Sequence, residues 1–139
     1  MSWAQKIRTM MMQAAPAPTN AIVPNSWTLK YWINTSGQVV EGNNAKFSAT
    51  SSAVAARTGG TIKRTGVQTD QNGNNISMFV HQYANGTWKR RSSNLSVGST
   101  VTLNNDCTEF VIVFQYGSTS GLTMGNEVIA YAYGAEWVV

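Results

Sequence analysis

The chain has few of the residues that carry most protein chemistry. Its 139 residues include one cysteine, Cys107, and one histidine, His81. No disulfide can form within the chain, and a metal site built on Cys and His would need carboxylates to complete it. Six acids are present, but there is no nucleophile elbow, phosphate-binding glycine motif or metal-binding helix signature. We therefore expect no catalytic residue, no metal and no cofactor.

The two potentially reactive side chains have structural interpretations. Cys107 precedes a strongly apolar stretch, where a small buried thiol is the ordinary role. His81 lies between Phe79 and Tyr83 in a β-rich stretch, which favours a partly buried histidine held by hydrogen bonds. A small β-fold enzyme such as a glycan lyase or hydrolase is an alternative, but it needs several acids, or His81 and an arginine, to converge.

Long apolar runs are also missing. No segment approaches the ~18 apolar residues of a membrane-spanning helix. Lys6 and Arg8 precede three methionines, but Gln13 ends that run, whereas a secretion signal needs about 7–15 apolar residues. We expect neither a transmembrane segment nor a cleaved secretion signal.

Charge is sparse and dispersed. Charged residues make up 12% of the chain, about half of the usual fraction of roughly 25%, whereas Asn, Ser and Thr number 13, 13 and 15. The formal net charge is +4, and basic residues cluster at Lys63-Arg64 and Lys89-Arg90-Arg91. Phosphate backbones require cations gathered on one face, and small clusters of this kind are typical of solvated strand edges. We therefore do not expect nucleic-acid binding.

The first 26 residues differ from the rest and form what we call the N-terminal arm. Residues 1–15 have the pattern of a short amphipathic helix, and residues 16–26 contain all three prolines, which favour an extended chain. No acid precedes Glu41, so the arm favours an acidic partner surface.

Such a short helix is marginal alone in water, so its apolar stripe must dock on another surface. That surface is the chain's own β domain or another protein, with a membrane surface as a third alternative. The residues that we expect to anchor the arm are Trp3, Ile7, Met10 and Met11.

Residues 27–139 carry β signals and no convincing helix. Residues 27–34 alternate in polarity, which predicts one strand with Trp32 on the face opposite Tyr31 and Ile33. Residues 109–116 are apolar on both faces and predict a central strand. Residues 127–137 predict a closing strand. About eight to ten short strands at this spacing indicate an all-β domain, an antiparallel β-sandwich of jelly-roll or immunoglobulin-like type.

Aromatic residues provide the candidate binding site. Asn85-Gly86 between two β-rich runs predicts a tight hairpin, and Tyr83 and Trp88 flank this turn. Rings beside amide and guanidinium donors are the groups that sugar-binding clefts use. The alternative is a cross-strand aromatic pair that stabilises the hairpin. The candidate glycan platform consists of Tyr83, Trp88, Arg90 and Trp32.

Three stretches carry a resemblance to known proteins. Residues 31–40 read YWINTSGQVV, residues 96–103 read SVGSTVTL and residues 110–114 read FVIVF. Together they resemble small β-sandwich modules of bacteriophage tail and baseplate proteins, which are often similar to carbohydrate-binding modules. The resemblance implies a structural or adhesion role in a virion, without enzymatic activity, for a protein made in the host cytoplasm.

The expected function combines the arm with this resemblance. The chain would be an accessory protein of a phage virion, with residues 1–26 bound to other virion proteins of the capsid or tail and residues 27–139 displayed. A second copy of the chain is a further expected partner, which would make a homo-oligomer. The alternative is a carbohydrate-binding module that binds a cell-surface glycan during host attachment.

Overall fold

The computed structural model describes residue 3 and residues 20–42, 48–70, 73–116 and 126–139. In these ranges the chain forms eleven strands and one short helix, in an order that places the helix just before the last strand. The elements are β1 (Trp27–Leu29), β2 (Tyr31–Ile33), β3 (Val39–Glu41), β4 (Ser48–Ser51), β5 (Val54–Ala55), β6 (Thr61–Arg64), β7 (Ile76–Ala84), β8 (Thr87–Arg91), β9 (Thr100–Thr102), β10 (Glu109–Tyr116), α1 (Asn126–Ala132) and β11 (Ala135–Val138).

Every pairing between these strands is antiparallel. A six-stranded sheet has the order β1-β4-β10-β7-β8, with β5 also paired to β10; a three-stranded sheet has the order β11-β6-β9, and β2 pairs with β3. The expectation of an all-β domain with antiparallel sheets is confirmed. The expectation that residues 109–116 form a central strand is confirmed too, because β10 lies between β4 and β7.

The six-stranded and three-stranded sheets contribute side chains to one main core. The ring of Phe110 on β10 meets the ring of Trp137 on β11 edge-on, with centroids 5.6 Å apart. Phe114 stacks on Trp27 at 5.5 Å and meets Tyr133 edge-on at 5.8 Å. The buried residues of the main core are Ile22, Ala49, Ile62, Ile76, Met78, Val80, Leu95, Leu103, Cys107, Phe110, Ile112, Phe114, Ile129, Ala132, Ala135 and Trp137.

The single strand predicted over residues 27–34 is wrong. Lys30 has a φ of 84°, a left-handed conformation that breaks an extended strand. β1 therefore pairs with β4, whereas β2 turns away and pairs with β3. Trp27 and Leu29 pack against the main core, but Ile33 is buried outside it.

The closing strand predicted over residues 127–137 is also partly wrong. Residues 126–132 form α1, and only residues 135–138 are β11. Ile129 and Ala132 are buried, whereas Tyr131 is 44% exposed. The two buried residues are three positions apart, which fits one face of a helix. The periodicity of a short apolar run does not distinguish a helix from a strand. Packing against the core therefore determines the secondary structure of residues 126–132.

The end of the N-terminal arm is attached to β11. Ala21 forms an isolated antiparallel bridge with Glu136, and Ile22 N–H donates to Ala135 O at 2.9 Å. Trp137 N–H donates to Asn20 O at 2.8 Å, so residues 20–22 run beside β11. The division of the chain at residues 26 and 27 stays a prediction.

Most of the arm lies outside the described residues. Of its predicted anchoring residues, Trp3 is described and is 77% exposed, whereas Ile7, Met10 and Met11 lie outside the described ranges. The predicted helix over residues 1–15 therefore stays a prediction. No helix within the described ranges is long and apolar enough to cross a membrane.

Candidate functional site

The hairpin formed by β7 and β8 carries most of the predicted platform. Asn85 and Gly86 join the strands with φ values of 49° and 83°. Two consecutive left-handed residues make a tight turn whose twist matches that of the strands. The predicted hairpin is confirmed, and Tyr83 and Trp88 are direct cross-strand partners.

One extra residue in β8 decides which side chains share a face. Tyr83 pairs with Trp88, but Gln82 pairs with Arg90 and His81 pairs with Arg91. Lys89 therefore has no cross-strand partner on β7. Paired residues project from the same face of a sheet, and neighbours along a strand project from opposite faces. The bulge therefore places Arg91 on the face of Trp88 and moves Arg90 to the other face.

We call the face of the six-stranded sheet that points away from the main core the outer face. Alternation along β7 and the pairing of β10 with β7 identify its members. Tyr83 and Trp88 lie at one end of it, and Arg91 lies further along β8. The β7 and β10 residues of the outer face are Ser77, Phe79, His81, Tyr83, Glu109, Val111, Val113 and Gln115.

Arg90 is held by polar contacts on the core-facing side of the sheet. Its two terminal nitrogens each donate to one carboxylate oxygen of Asp106 at 2.8 Å. One of them also donates to Gln82 Oε1 at 3.2 Å, and that oxygen accepts from Asn104 N–H at 2.9 Å. The hydrogen bond from Arg90 lowers the pKa of Asp106 below its ordinary value. Arg90 thus joins β8 to the loop before β10.

Trp88 is partly buried beneath the turn between β2 and β3. A Cβ atom added to Gly37 would lie 2.4 Å from the Trp88 ring, so the turn rests directly on the indole. The indole Nε1–H donates to His81 Nδ1 at 3.1 Å. These contacts show that Trp88 has a structural role on the outer face.

The β2–β3 hairpin (residues 31–41) lies on the outer face and forms a second, smaller core with it. Ile33 and Val113 are 3% and 0% exposed, yet neither belongs to the main core. Thr50, the cross-strand partner of Val113, donates its hydroxyl to Tyr31 O at 2.7 Å. Together with the contact between Gly37 and Trp88, these observations trace the hairpin from β4 across to β8.

Trp32 lies on the β2–β3 hairpin and is partly exposed. It pairs with Val40 and alternates with Ile33, so its side chain projects from the opposite side of the hairpin. The structure therefore brings Tyr83 and Trp88 together, and it separates both Arg90 and Trp32 from them. A glycan-binding role for these four residues stays a prediction.

His81 is the most unusual side chain of the outer face. It is fully buried, its Nδ1 accepts the indole bond, and its Nε2 has no hydrogen-bond partner among the described residues. Burial, and secondarily the positive charge of Arg91, lowers the pKa of His81 to about 4. A neutral imidazole that accepts at Nδ1 carries its proton on Nε2. The predicted hydrogen-bonded histidine is confirmed, but its side chain is fully buried where partial burial was expected.

Sequence reasoning missed two residues of this surface. The guanidinium carbon of Arg91 lies 4.4 Å from the centre of the Phe79 ring, a cation–π contact. Among the described residues, no acid lies within ion-pair distance of Arg91. Phe79 could have been predicted because residues 79, 81 and 83 alternate along one strand and share a face. The position of Arg91 depends on the bulge in β8, which the sequence did not predict.

The remaining ionisable side chains near the platform have structural environments. Cys107 is buried, its thiol donates to Glu109 O at 3.2 Å, and burial raises its pKa, which confirms the predicted buried thiol. Burial, followed by the charge of Glu109, raises the pKa of Tyr83. Within the described ranges, no three His, Cys, Asp or Glu residues are placed to hold a metal ion.

Comparison with known proteins gives no assignment. No protein-family model matches the sequence, and no curated protein or solved structure matches the chain. The candidate site therefore rests on its own geometry: an aromatic pair at the end of the outer face, a buried neutral histidine and an arginine that has an aromatic partner and no acid.

Proposed function

We propose that this chain is a non-enzymatic accessory protein of a phage virion, attached by its N-terminal arm and displaying its β domain. The observation that carries the proposal is the attachment of residues 20–22 along the edge of β11. Ile22 is 3% exposed, and its carbonyl accepts from Tyr133 Oη–H at 2.7 Å. The end of the arm nearest the β domain is therefore held in a fixed position.

The use of the polar side chains supports a role in assembly rather than catalysis. Arg90 pairs with Asp106, and Lys30 pairs with Glu41. His81 accepts from Trp88, and the Cys107 thiol donates to a backbone carbonyl. Catalysis needs titratable groups that converge on a site from which substrate can be reached, and these groups are engaged in internal contacts.

We propose further that the domain is a β-sandwich, of jelly-roll or immunoglobulin-like type. The six-stranded and three-stranded sheets supply rings to one core from two sides, as Phe110 and Trp137 do. A sandwich of this kind presents loops and sheet faces to a partner while its core supplies the stability. This architecture suits a displayed module.

Incorporation into particles tests the proposal. Tagged full-length chain is expressed during infection by the phage whose genome carries it, beside a variant that lacks residues 1–19 and the full-length double variant Trp3→Asp/Met10→Asp. The truncation ends before Asn20 because Asn20 O accepts from Trp137 N–H. We expect full-length chain in purified particles and loss of both variants, while the β domain of each variant keeps the urea denaturation midpoint of the parent.

Two results would contradict this proposal. One is purified particles that contain no full-length chain, and the other is incorporation of the truncated chain at the full-length level. A matched control is Val139→Asp, which changes a residue that is 99% exposed at the other end of the chain. This variant should be incorporated normally.

A second candidate function is glycan binding, favoured by the pairing of Tyr83 with Trp88 on a face that also carries Arg91. Glycan-array binding by the parent chain, with Tyr83→Ala, Arg91→Ala and Arg90→Ala, tests it. We expect the first two variants to lose binding and Arg90→Ala to retain it, because Arg90 lies on the other face. Equal binding by Tyr83→Ala and the parent would remove this site.

A further inference from the structure

The β2–β3 hairpin is attached to the rest of the domain in two different ways. At its base, Lys30 N–H donates to Ser48 O at 2.9 Å, Gly42 N–H donates to Lys30 O at 2.7 Å, and Lys30 forms an ion pair with Glu41. At its far end, the turn contacts the outer face where Gly37 meets the Trp88 ring. Backbone hydrogen bonds hold the base, and the buried Ile33 and the bond from Thr50 to Tyr31 O hold β2. The turn itself contacts the Trp88 indole.

The orientation of that indole depends on His81. The bond from Trp88 Nε1–H to His81 Nδ1, at 3.1 Å, requires an unprotonated Nδ1. His81 is 0% exposed, and its other nitrogen has no hydrogen-bond partner in the part of the chain that the structure describes. Protonation would place a positive charge in this buried site, and no described acceptor lies beside Nε2 to stabilise that charge.

Among the charged and titratable groups around His81, Arg91 opposes its protonation. Its cross-strand partner on β8 is Arg91, and its partner on β10 is the uncharged Val111. On β7 the next residue of the same face is Tyr83, and Glu109 of β10 lies beside Tyr83 rather than beside His81. The hairpin itself carries Tyr31 and, at its base, the ion pair of Lys30 with Glu41.

We propose that protonation of His81 releases the turn of the β2–β3 hairpin from Trp88, so that the hairpin is an acid-sensitive cover of the outer face. A proton on Nδ1 makes that atom a donor, so it can no longer accept from the indole. The indole must turn away or the imidazolium must leave its buried position. Either movement removes the surface on which Gly37 rests.

The size of the effect follows from the two environments of His81. In the closed hairpin the pKa of His81 is about 4, against an ordinary value of 6.5. If His81 becomes solvated in the open form, the ratio of open to closed hairpin rises by up to about 300-fold between neutral pH and pH well below 4, since each pKa unit is tenfold. Most of the rise occurs between pH 6 and pH 4.

A pH titration of the full chain by nuclear magnetic resonance tests this proposal. The imidazole signals of His81 report its protonation. The Trp88 indole N–H reports its hydrogen bond, and the Gly37 amide reports ring-current shifts from Trp88. We expect the three signals to change together, while amide protons of β10 stay protected from exchange. Protonation of His81 without a change in the Gly37 amide would overturn the proposal.

Matched variants separate His81 from general acid effects. Arg91→Gln removes the positive charge beside His81, and Arg90→Gln makes the same change on the opposite face. We expect Arg91→Gln to move the transition to higher pH and Arg90→Gln to leave it in place. His81→Gln offers an uncharged acceptor and should abolish the transition. Release at the same pH in His81→Gln and in the parent would contradict the proposal, and the titration of the parent decides the matter if that variant does not fold.

Discussion

The two faces of the six-stranded sheet are stabilised in different ways. The core-facing side buries several large side chains, among them Phe110, Ile112 and Phe114, against a second sheet. The outer face carries a hairpin of two three-residue strands, and its buried side chains include Ile33, Val113 and His81. Buried apolar area is the main favourable term in folding. The core side therefore supplies most of the stability of the domain, and the outer face contributes less.

Each face also buries one nitrogen base, and the two bases differ in charge. Arg64, on the core side, is 0% exposed and donates to Leu95 O and Val67 O. Burial lowers its pKa to about 10, so it stays charged at neutral pH. His81 has a pKa of about 4 and stays neutral. Two backbone carbonyls accept from the charged guanidinium of Arg64, and the ordinary pKa of arginine lies far above neutrality. His81 has neither advantage.

The largest effect should follow from a deletion on the core side. Phe114→Ala removes a ring that stacks on Trp27 and meets Tyr133, and we expect a loss of about 3–5 kcal/mol in the free energy of unfolding. Phe79→Ala makes the same change on the outer face, where the ring is partly exposed, and should cost about 1–2 kcal/mol. Urea denaturation of both variants measures the difference. Equal losses would contradict the unequal roles of the two faces.

The next effect is the pH dependence of stability. Because folding lowers the pKa of His81 from 6.5 to about 4, the unfolded chain binds more protons between these values. Stability therefore falls as the pH is lowered from about 6.5 to 4, by at most about 3 kcal/mol. Release of the hairpin limits the loss, since the open form accepts the proton while the main core stays folded.

Denaturation of the parent and His81→Gln across this pH range isolates the contribution of His81. Asp106 also has a lowered pKa and adds loss of the same sign at lower pH, but it does so in both proteins. We expect the His81→Gln curve to be flatter between pH 6.5 and 4. Parallel curves would show that His81 does not couple folding to pH.

A smaller effect should come from the turn that contacts Trp88. Gly37 has a φ of 81°, and an added Cβ would overlap the Trp88 ring. Gly98 has a φ of 91° with no atom within 4 Å of such a Cβ. Both alanine variants suffer left-handed strain of about 1–2 kcal/mol, and Gly37→Ala should cost roughly 1–3 kcal/mol more through overpacking.

Hydrogen exchange locates the cost of these two substitutions. In Gly37→Ala we expect faster exchange in the hairpin and at the Trp88 indole, with β10 protected as in the parent. Gly98→Ala should leave the hairpin unchanged. If Gly37→Ala weakens β10 as much as the hairpin, the outer face is not an independent region of the structure.

Local sequence signals predicted the parts of the fold that depend on local chemistry. The β7–β8 turn was predicted because Asn85 and Gly86 adopt left-handed conformations readily, and β10 because both of its faces are apolar. The break at Lys30 was missed, since a lysine with positive φ has no local signature. α1 was missed because its burial pattern depends on the core that it contacts.

The candidate site shows where such reasoning ends. With regular pairing from Tyr83 and Trp88, His81 would face Arg90, and Arg90 would lie on the platform as predicted. The unpaired Lys89 shifts the register by one residue, and a shift of one residue exchanges the faces of a strand. Arg91 therefore takes the place that the sequence indicated for Arg90, and no local spacing predicts that exchange.

The smallest effects that we predict concern two neighbouring arginines, Arg90 and Arg91. Arg90 forms a solvent-exposed ion pair with Asp106, and exposed pairs are weak and screened by salt. Arg91 lies over the Phe79 ring, a contact worth about 0.5–1 kcal/mol that depends less on ionic strength because the ring carries no net charge. Double-mutant cycles with alanine should give a coupling energy for Arg90 and Asp106 that vanishes in 1 M salt. The screening length in 1 M salt is roughly three times shorter than in 0.1 M salt. The coupling of Arg91 with Phe79 should persist, and its loss under the same conditions would mean that Arg91 contributes to the outer face by charge alone.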